Sequence, residues 1–172
     1  KSKDNLVEPV LYHSANLNET GDWQELLQKS DWVIDAVGIL FPSKSKGTTY
    51  EKNSIQPAKI IIDTIVNSEN QCLFISANDG PFFMNDYMRA KKEVEAYGQK
   101  RLKSRFVSVF PGIVYDASRK SSYFPARLLE PLIKIPIFSF LKSYRPIKRS
   151  QFAKEIHKII EGKESSLTSR IK

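Results

Sequence analysis

The chain of 172 residues contains a single cysteine, Cys72, along with two histidines and seven glycines. One thiol excludes a disulfide framework and any cysteine-rich zinc module. His13 and His157 have no metal-ligand spacing to each other or to acidic residues, so no metal site is expected. No run reaches the roughly 18 apolar residues that a membrane-spanning helix requires. Lys1 to Glu8 are polar and bear no likeness to a secretion signal. Repeats and low-complexity tracts are missing too, which excludes a solenoid.

What the chain does contain is enough apolar material for a real core. Apolar residues make up 41% of it, with 10 Phe and 7 Tyr, and the length matches about one domain at roughly 150 residues each. Residues 1–172 therefore read as one domain. Charge is unevenly divided: residues 1–86 carry 7 Lys and no Arg against 12 acids, a net of −5. Residues 87–172 carry 20 cations against 7 acids, a net of +13. Such a split points to an anionic partner near the second half, whether a phosphate-bearing ligand or an acidic membrane surface. No RNP, helix-turn-helix or zinc pattern accompanies the charge, which argues against nucleic acid.

Apolar periodicity divides the chain into alternating strands and helices. Val7–Tyr12 reads as a strand, and Asp22–Lys29 as a short helix with Trp23, Leu26 and Leu27 on one face. Trp32–Val37 reads as a buried strand ending at Gly38, followed by a loop over residues 41–49. A helix capped by Asn53 or Ser54 then carries Pro57 in its first turn and is buried through Ile60, Ile61, Ile62, Ile65 and Val66. Cys72–Ile75 is the next strand, Tyr87–Leu102 the next helix, and Phe106–Phe110 a strand stopped by Pro111 and Gly112. Residues 117–150 are less regular and form a small substrate-side subregion. Phe152–Glu161 reads as a final amphipathic helix closed by Gly162. Alternation of this kind predicts an α/β fold, a mainly parallel sheet with helices on both faces. Ligands of such sheets sit beyond the carboxyl ends of the strands, which directs attention to Gly38, Ser76, Pro111 and Gly112.

One pair of residues there carries chemistry. Tyr87 and Lys91 stand four residues apart, on one face of a helix. A phenol titrates near pH 10, and a fixed cation beside it favours the phenolate, so the two form a proton-transfer couple. Ser76, at a strand end, can hydrogen-bond a substrate oxygen whose charge changes during hydride transfer. A Tyr-x-x-x-Lys match is expected about 0.8 times by chance in this composition, and Tyr144/Lys148 is a second one. Pro146 argues against a helix at that second site. Only Tyr87 lies on a helix that follows a strand ending in serine.

These residues resemble the short-chain dehydrogenase/reductase superfamily, in its extended or atypical branch. Trp32-Val-Ile-Asp-Ala-Val-Gly38 is similar to the family strand that runs into a small residue beside the cofactor. Asn53 resembles the Asn-containing helix start, Phe74-Ile-Ser-Ala77 the strand with the catalytic serine, and Tyr87/Lys91 the active-site pair. Phe110-Pro-Gly-Ile-Val-Tyr115 resembles an Arg-Pro-Gly-x-x-Tyr stretch near the nicotinamide, and Arg145-Pro-Ile147 a late Arg-Pro-Ile segment. The motifs follow one another in order over about 120 residues, which is far more specific than any one alone.

The resemblance implies a Rossmann-type fold, NAD or NADP as cofactor, and an oxidoreductase or epimerase-like activity on a small molecule. Tyr87 would serve as acid/base, Lys91 would hold the nicotinamide ribose, and Ser76 would orient the substrate. Asn16 and Leu17 fall where the family touches the adenine. Val37, Gly38, Asn53, Pro111, Gly112 and Ile113 would complete the cofactor site.

Two departures stand out. No glycines form the Gly-x-x-Gly-x-x-Gly turn that receives a pyrophosphate, so the family's opening strand–helix–strand is expected upstream, in a longer protein. Phe110 stands where the family has Arg, which keeps open a second reading: a non-catalytic dinucleotide-binding assembly or regulatory protein, as in relatives associated with respiratory complex I or quinone biosynthesis. The stripe from Leu128 to Leu141 fits core beneath a substrate subregion or a lipid-like ligand. The adjoining Lys142, Arg145, Lys148 and Arg149 fit an anionic membrane surface or a protein complex. The expected compartment is the cytoplasm, with a peripheral place in the mitochondrial matrix as the alternative.

Overall fold

A computed structural model of the chain describes residues 10–116, 144 and 146–171. Three strands, β1 (Trp32–Asp35), β2 (Gln71–Ile75) and β3 (Phe106–Val109), form a parallel sheet in the order β1-β2-β3. Val33 stands opposite Cys72, and Cys72 opposite Phe106, so all three project from one face. Among the described residues four helices accompany the strands: α1 (Asp22–Gln28), α2 (Gln56–Thr64), α3 (Asn85–Leu102) and α4 (Arg149–Ile160). A second, two-strand parallel ladder joins β4 (Val114–Tyr115) to β5 (Ile147–Lys148). The chain is thus a mixed α/β protein with a small parallel sheet.

Helices cover both faces of that sheet. The crossovers β1-α2-β2 and β2-α3-β3 run the same way along the strand order, so α2 and α3 lie side by side on one face. There Ala58, Ile61, Ile62 and Ile65 of α2 and Ala90, Val94 and Leu102 of α3 pack on Val33, Cys72, Phe74 and Phe106. On the other face, Ile156 and Ile159 of α4 and Leu167 close over Leu73 and Val109. Each fully buried aliphatic side chain of this kind contributes roughly 1.5–3 kcal/mol. Among the described residues nothing comparable covers Ile34 of β1, which is 44% exposed. Among the described residues, the strand expected to be buried is an edge strand with one covered face.

Polar clasps close the helix ends. The Asn70 amide donates to the carbonyls of Leu27 (2.9 Å) and Ser30, and Arg105 donates to those of Ile65 (3.3 Å), Val66 (2.8 Å) and Asn70 (2.9 Å). The last carbonyls of a helix have no partner within it, and these two side chains supply partners to the ends of α1 and α2.

Several element boundaries differ from the sequence reading. Residues 10–12, the described part of the expected Val7–Tyr12 strand, form no strand, and Leu11 is 94% exposed. The first strand stops at Asp35 because the Asp35 carboxylate accepts the Val37 amide (2.9 Å) and turns the chain. The helix expected to be capped by Asn53 or Ser54 starts earlier, with a wide π-turn over Glu51–Ile55 that precedes α2. There the Thr49 hydroxyl accepts the Lys52 amide and the Asn53 side chain accepts the Thr49 amide. The final helix begins at Arg149, before the expected Phe152. The stripe from Leu128 to Leu141, together with Lys142 and Arg145 and most of the 117–150 subregion, lies outside the described residues. Among the described residues, no helix is long and apolar enough to cross a membrane.

Cys72 illustrates how tightly this core is closed. Its thiol is fully buried, and loss of hydration, reinforced by the nearby Asp35 carboxylate, pushes its pKa up to about 12. At pH 8 the thiol is expected to resist alkylation in the folded protein and to react once denaturant opens the core, a difference that mass spectrometry reads directly.

Candidate functional site

All three main strands run the same way, so the residues that follow them meet along one edge of the sheet. Val37 and Gly38 follow β1, Ser76 to Asn78 follow β2, and Phe110 to Gly112 follow β3. The start of α3 rises beside them and carries Tyr87 and Lys91.

The loop after β1 is held against the turn that precedes α2. The Ile39 amide donates to the Ser54 hydroxyl (3.1 Å), and the Tyr50 phenol donates to the Leu40 carbonyl (2.9 Å). Gly38 has φ of +151°, a backbone conformation that a side chain would strain. A Cβ there would lie 3.2 Å from the Ser54 oxygen and 3.9 Å from Lys91 Nζ. Bare backbone therefore borders the site where a ligand would approach.

Tyr87 and Lys91 line one small cleft together with Val37, Tyr50, Ser54 and Phe74. The Tyr50 and Tyr87 rings are 6.3 Å apart at 54°. Lys91 is 9% exposed, and its ammonium donates to the Ile75 carbonyl at 2.7 Å. It lies 4.6 Å from the centre of the Phe74 ring and 5.9 Å from that of Tyr87, within the range of a cation–π contact. The expected lowering of the Tyr87 phenol by this cation does not occur. Burial, and then the neighbouring Tyr50, push Tyr87 above the ordinary phenol value. Burial also pulls the Lys91 ammonium below its usual range, against the opposing pull of Asp35 and Glu95. As arranged here, Tyr87 keeps its proton at neutral pH and is a weaker acid than a free phenol.

Ser76 faces elsewhere. It is 3% exposed, and its hydroxyl donates to the Glu95 carboxylate, one helical turn beyond Lys91. Glu95 is in turn held by Arg170 through two contacts, of 2.6 and 3.0 Å. Pro111 is tied back to the β2 end, its carbonyl accepting the Asn78 amide at 3.0 Å. Gly112 is half-buried beside it, and Ile113 belongs to the second ladder, accepting the Ile147 amide at 2.9 Å.

Of the residues singled out from sequence, the structure gathers Val37, Gly38, Tyr87 and Lys91 around one cleft. Asn53 is turned onto Thr49. Asn16 lies in an exposed turn, bonded to Glu19 (2.6 Å) and to the Asn18 amide, while Leu17 packs partly against the core. Sequence reasoning missed Asp35, Tyr50, Ser54, Glu95 and Arg170. Two of these left a signal: Asp35 is an acid inside an apolar strand, and Glu95 continues the four-residue stripe of Tyr87 and Lys91. Among the described residues, no group of His, Cys, Asp or Glu is arranged to hold a metal ion. No protein-family model matches the chain, and no curated protein matches it.

Proposed function

We propose that this chain is an NAD(P)-dependent oxidoreductase or epimerase-like enzyme of the short-chain dehydrogenase type, on a Rossmann-type sheet. The observation that carries this reading is the convergence of Tyr87, Lys91, Val37 and the bare backbone of Gly38 at the carboxyl edge of a parallel sheet. The residues present offer a nicotinamide ribose a nearly buried ammonium for its hydroxyls beside the bare backbone of Gly38; the cleft itself encloses only about 10 Å³, so the sugar would lie at its mouth. These residues supply no phosphate-binding glycine turn and account for the ribose end of the cofactor, with no residue assigned to its pyrophosphate.

Lys91 would bind and orient the ribose, exchanging its bond to the Ile75 carbonyl for one to a sugar hydroxyl. Tyr87 would hold the proton that a substrate oxygen needs; burial keeps it protonated but weakens it as an acid, so a charge brought close by the bound ligand would have to lower its pKa again. Val37, Phe74 and Val94 would exclude water from the pair. The bound cofactor would supply the hydride chemistry.

A second reading, a non-catalytic dinucleotide-binding protein serving assembly or regulation, draws support from Ser76. Its only proton is engaged by Glu95, so it is not free to donate to a substrate oxygen.

The test is a titration of the full-length protein with NADH and NADPH, followed by reduced-cofactor fluorescence. Binding of at least one dinucleotide is expected, weakened by tenfold or more in Lys91→Met, since loss of a hydrogen bond to a charged group costs about 1.5–3 kcal/mol. Tyr87→Phe is expected to keep that binding. Loss of NADH oxidation by Tyr87→Phe, across a panel of carbonyl compounds, supports the enzyme, whereas a wild-type protein that binds dinucleotide and oxidises nothing supports the second reading. If neither dinucleotide binds, both readings fail.

A further inference from the structure

The segment 165–171 crosses the carboxyl ends of β2 and β3 and is fastened at three points. The Leu167 carbonyl accepts the Phe110 amide at 2.7 Å, and its side chain is 1% exposed. Asn78 grips Ile171 from both sides, donating to its carbonyl (3.0 Å) and accepting its amide (2.7 Å). Arg170 pairs with both oxygens of Glu95, lies 4.2 Å from the centre of the Phe110 ring, and donates to the Ala77 carbonyl at 3.4 Å. Every residue gripped belongs to the loops that follow β2 and β3, or to the helix that carries Tyr87 and Lys91.

The choice of anchors has a chemical consequence. Arg170 neutralises and orients Glu95, and Glu95 accepts the hydrogen bond of the Ser76 hydroxyl. The position of the Ser76 proton is therefore set by a residue 94 positions away, together with the loop geometry at Ala77, Asn78 and Phe110. The fastening is held at some cost, because Arg170 Nε is buried with no partner among the described residues. Bidentate arginine–carboxylate pairs are among the stronger and more directional contacts available to a protein, so this one can order loops that would otherwise sample many conformations.

We propose that segment 165–171 is a latch that pre-orders the ligand-facing loops after β2 and β3, with Arg170 and Glu95 as positioning residues for Ser76 and Asn78. Its effect on a dinucleotide rests on the function proposed above; the latch itself rests on the geometry alone. Opening the latch leaves the three-strand core intact and makes ordering of those loops a cost of ligand binding.

The test uses the full-length protein with Arg170→Gln and, independently, Glu95→Gln, which keeps an acceptor for Ser76 but removes the charge. Amide hydrogen exchange is expected to quicken at residues 76–80 and 110–112, while α2 and strands β1 and β2 stay protected. NADH affinity is expected to fall about tenfold in Arg170→Gln and by less in Arg170→Lys, which keeps the charge without the two-pronged contact. Unchanged exchange in both glutamine variants overturns the latch. Faster exchange with unaltered NADH affinity overturns its positioning role. If the wild-type protein binds no dinucleotide, the functional reading fails and exchange alone decides the latch. If Arg170→Gln does not fold, Glu95→Gln decides it by the same two measurements.

Discussion

Gly98→Ala is expected to destabilise the protein by about 1–3 kcal/mol, the usual range for overpacking a closed core. The direction runs against helix propensity. Gly98 lies inside α3, where alanine would ordinarily gain about 1 kcal/mol over glycine. A methyl group there, however, would lie 2.2 and 2.3 Å from two carbons of the Phe106 ring. Moving that ring breaks a closed contact: Phe106 is 6% exposed and stacked on Phe74 at 6.1 Å between centres. Either α3 lifts away from β3 or the two rings repack, and both loosen the layer beneath Lys91. Chemical denaturation gives the test. A Gly98→Ala protein more stable than wild type would mean that helix and sheet do not pack at the distance described. Phe106→Leu should partly rescue the alanine variant, because it removes the atoms that the methyl meets.

Asp35→Asn is expected to stabilise the protein at neutral pH by about 1–3 kcal/mol. Asp35 is 2% exposed; one carboxylate oxygen accepts the Val37 amide, and the other is buried without a partner among the described residues. Burial dominates and raises its pKa above 3.8, against the smaller opposing pulls of the Val37 amide and the Lys91 charge. A raised carboxyl pKa means that the folded protein keeps a proton the unfolded chain has already released. Stability therefore falls as pH climbs from about 4 through the native pKa, and is flat above it. Asparagine keeps the acceptor for Val37 and has no charge to bury, so its advantage should be full above the native pKa of Asp35 and shrink as pH falls towards 4. Denaturant midpoints measured across that range provide the check. An asparagine variant weaker than wild type at pH 7 would show that attraction between Asp35 and Lys91 outweighs their shared loss of hydration.

Much of the layout was legible in the sequence because apolar periodicity follows directly from which faces are buried. The runs at Gln71–Ile75 and Phe106–Val109, and the long helix before the second of them, form close to where the pattern put them. Boundaries were less legible, since local hydrogen bonds set them. The Asp35 side chain ends its strand by bonding its own loop, and the turn before α2 opens with Thr49 rather than with Asn53. The candidate site divides in the same way. Tyr87 and Lys91 share a face because of helical spacing alone, but which groups face them depended on loops distant in sequence.

By itself, the sequence determined an α/β arrangement, a closed apolar core, and a phenol and an amine on one helix face. Those are consequences of spacing and hydrophobicity, which act locally along the chain. Tertiary structure decided that burial raises the Tyr87 phenol instead of lowering it, that Ser76 donates its hydrogen bond to Glu95, and that Arg170 holds both from the far end of the chain. Hydration and pairing of a charge depend on what surrounds it in space, and no pattern along one strand or helix contains that.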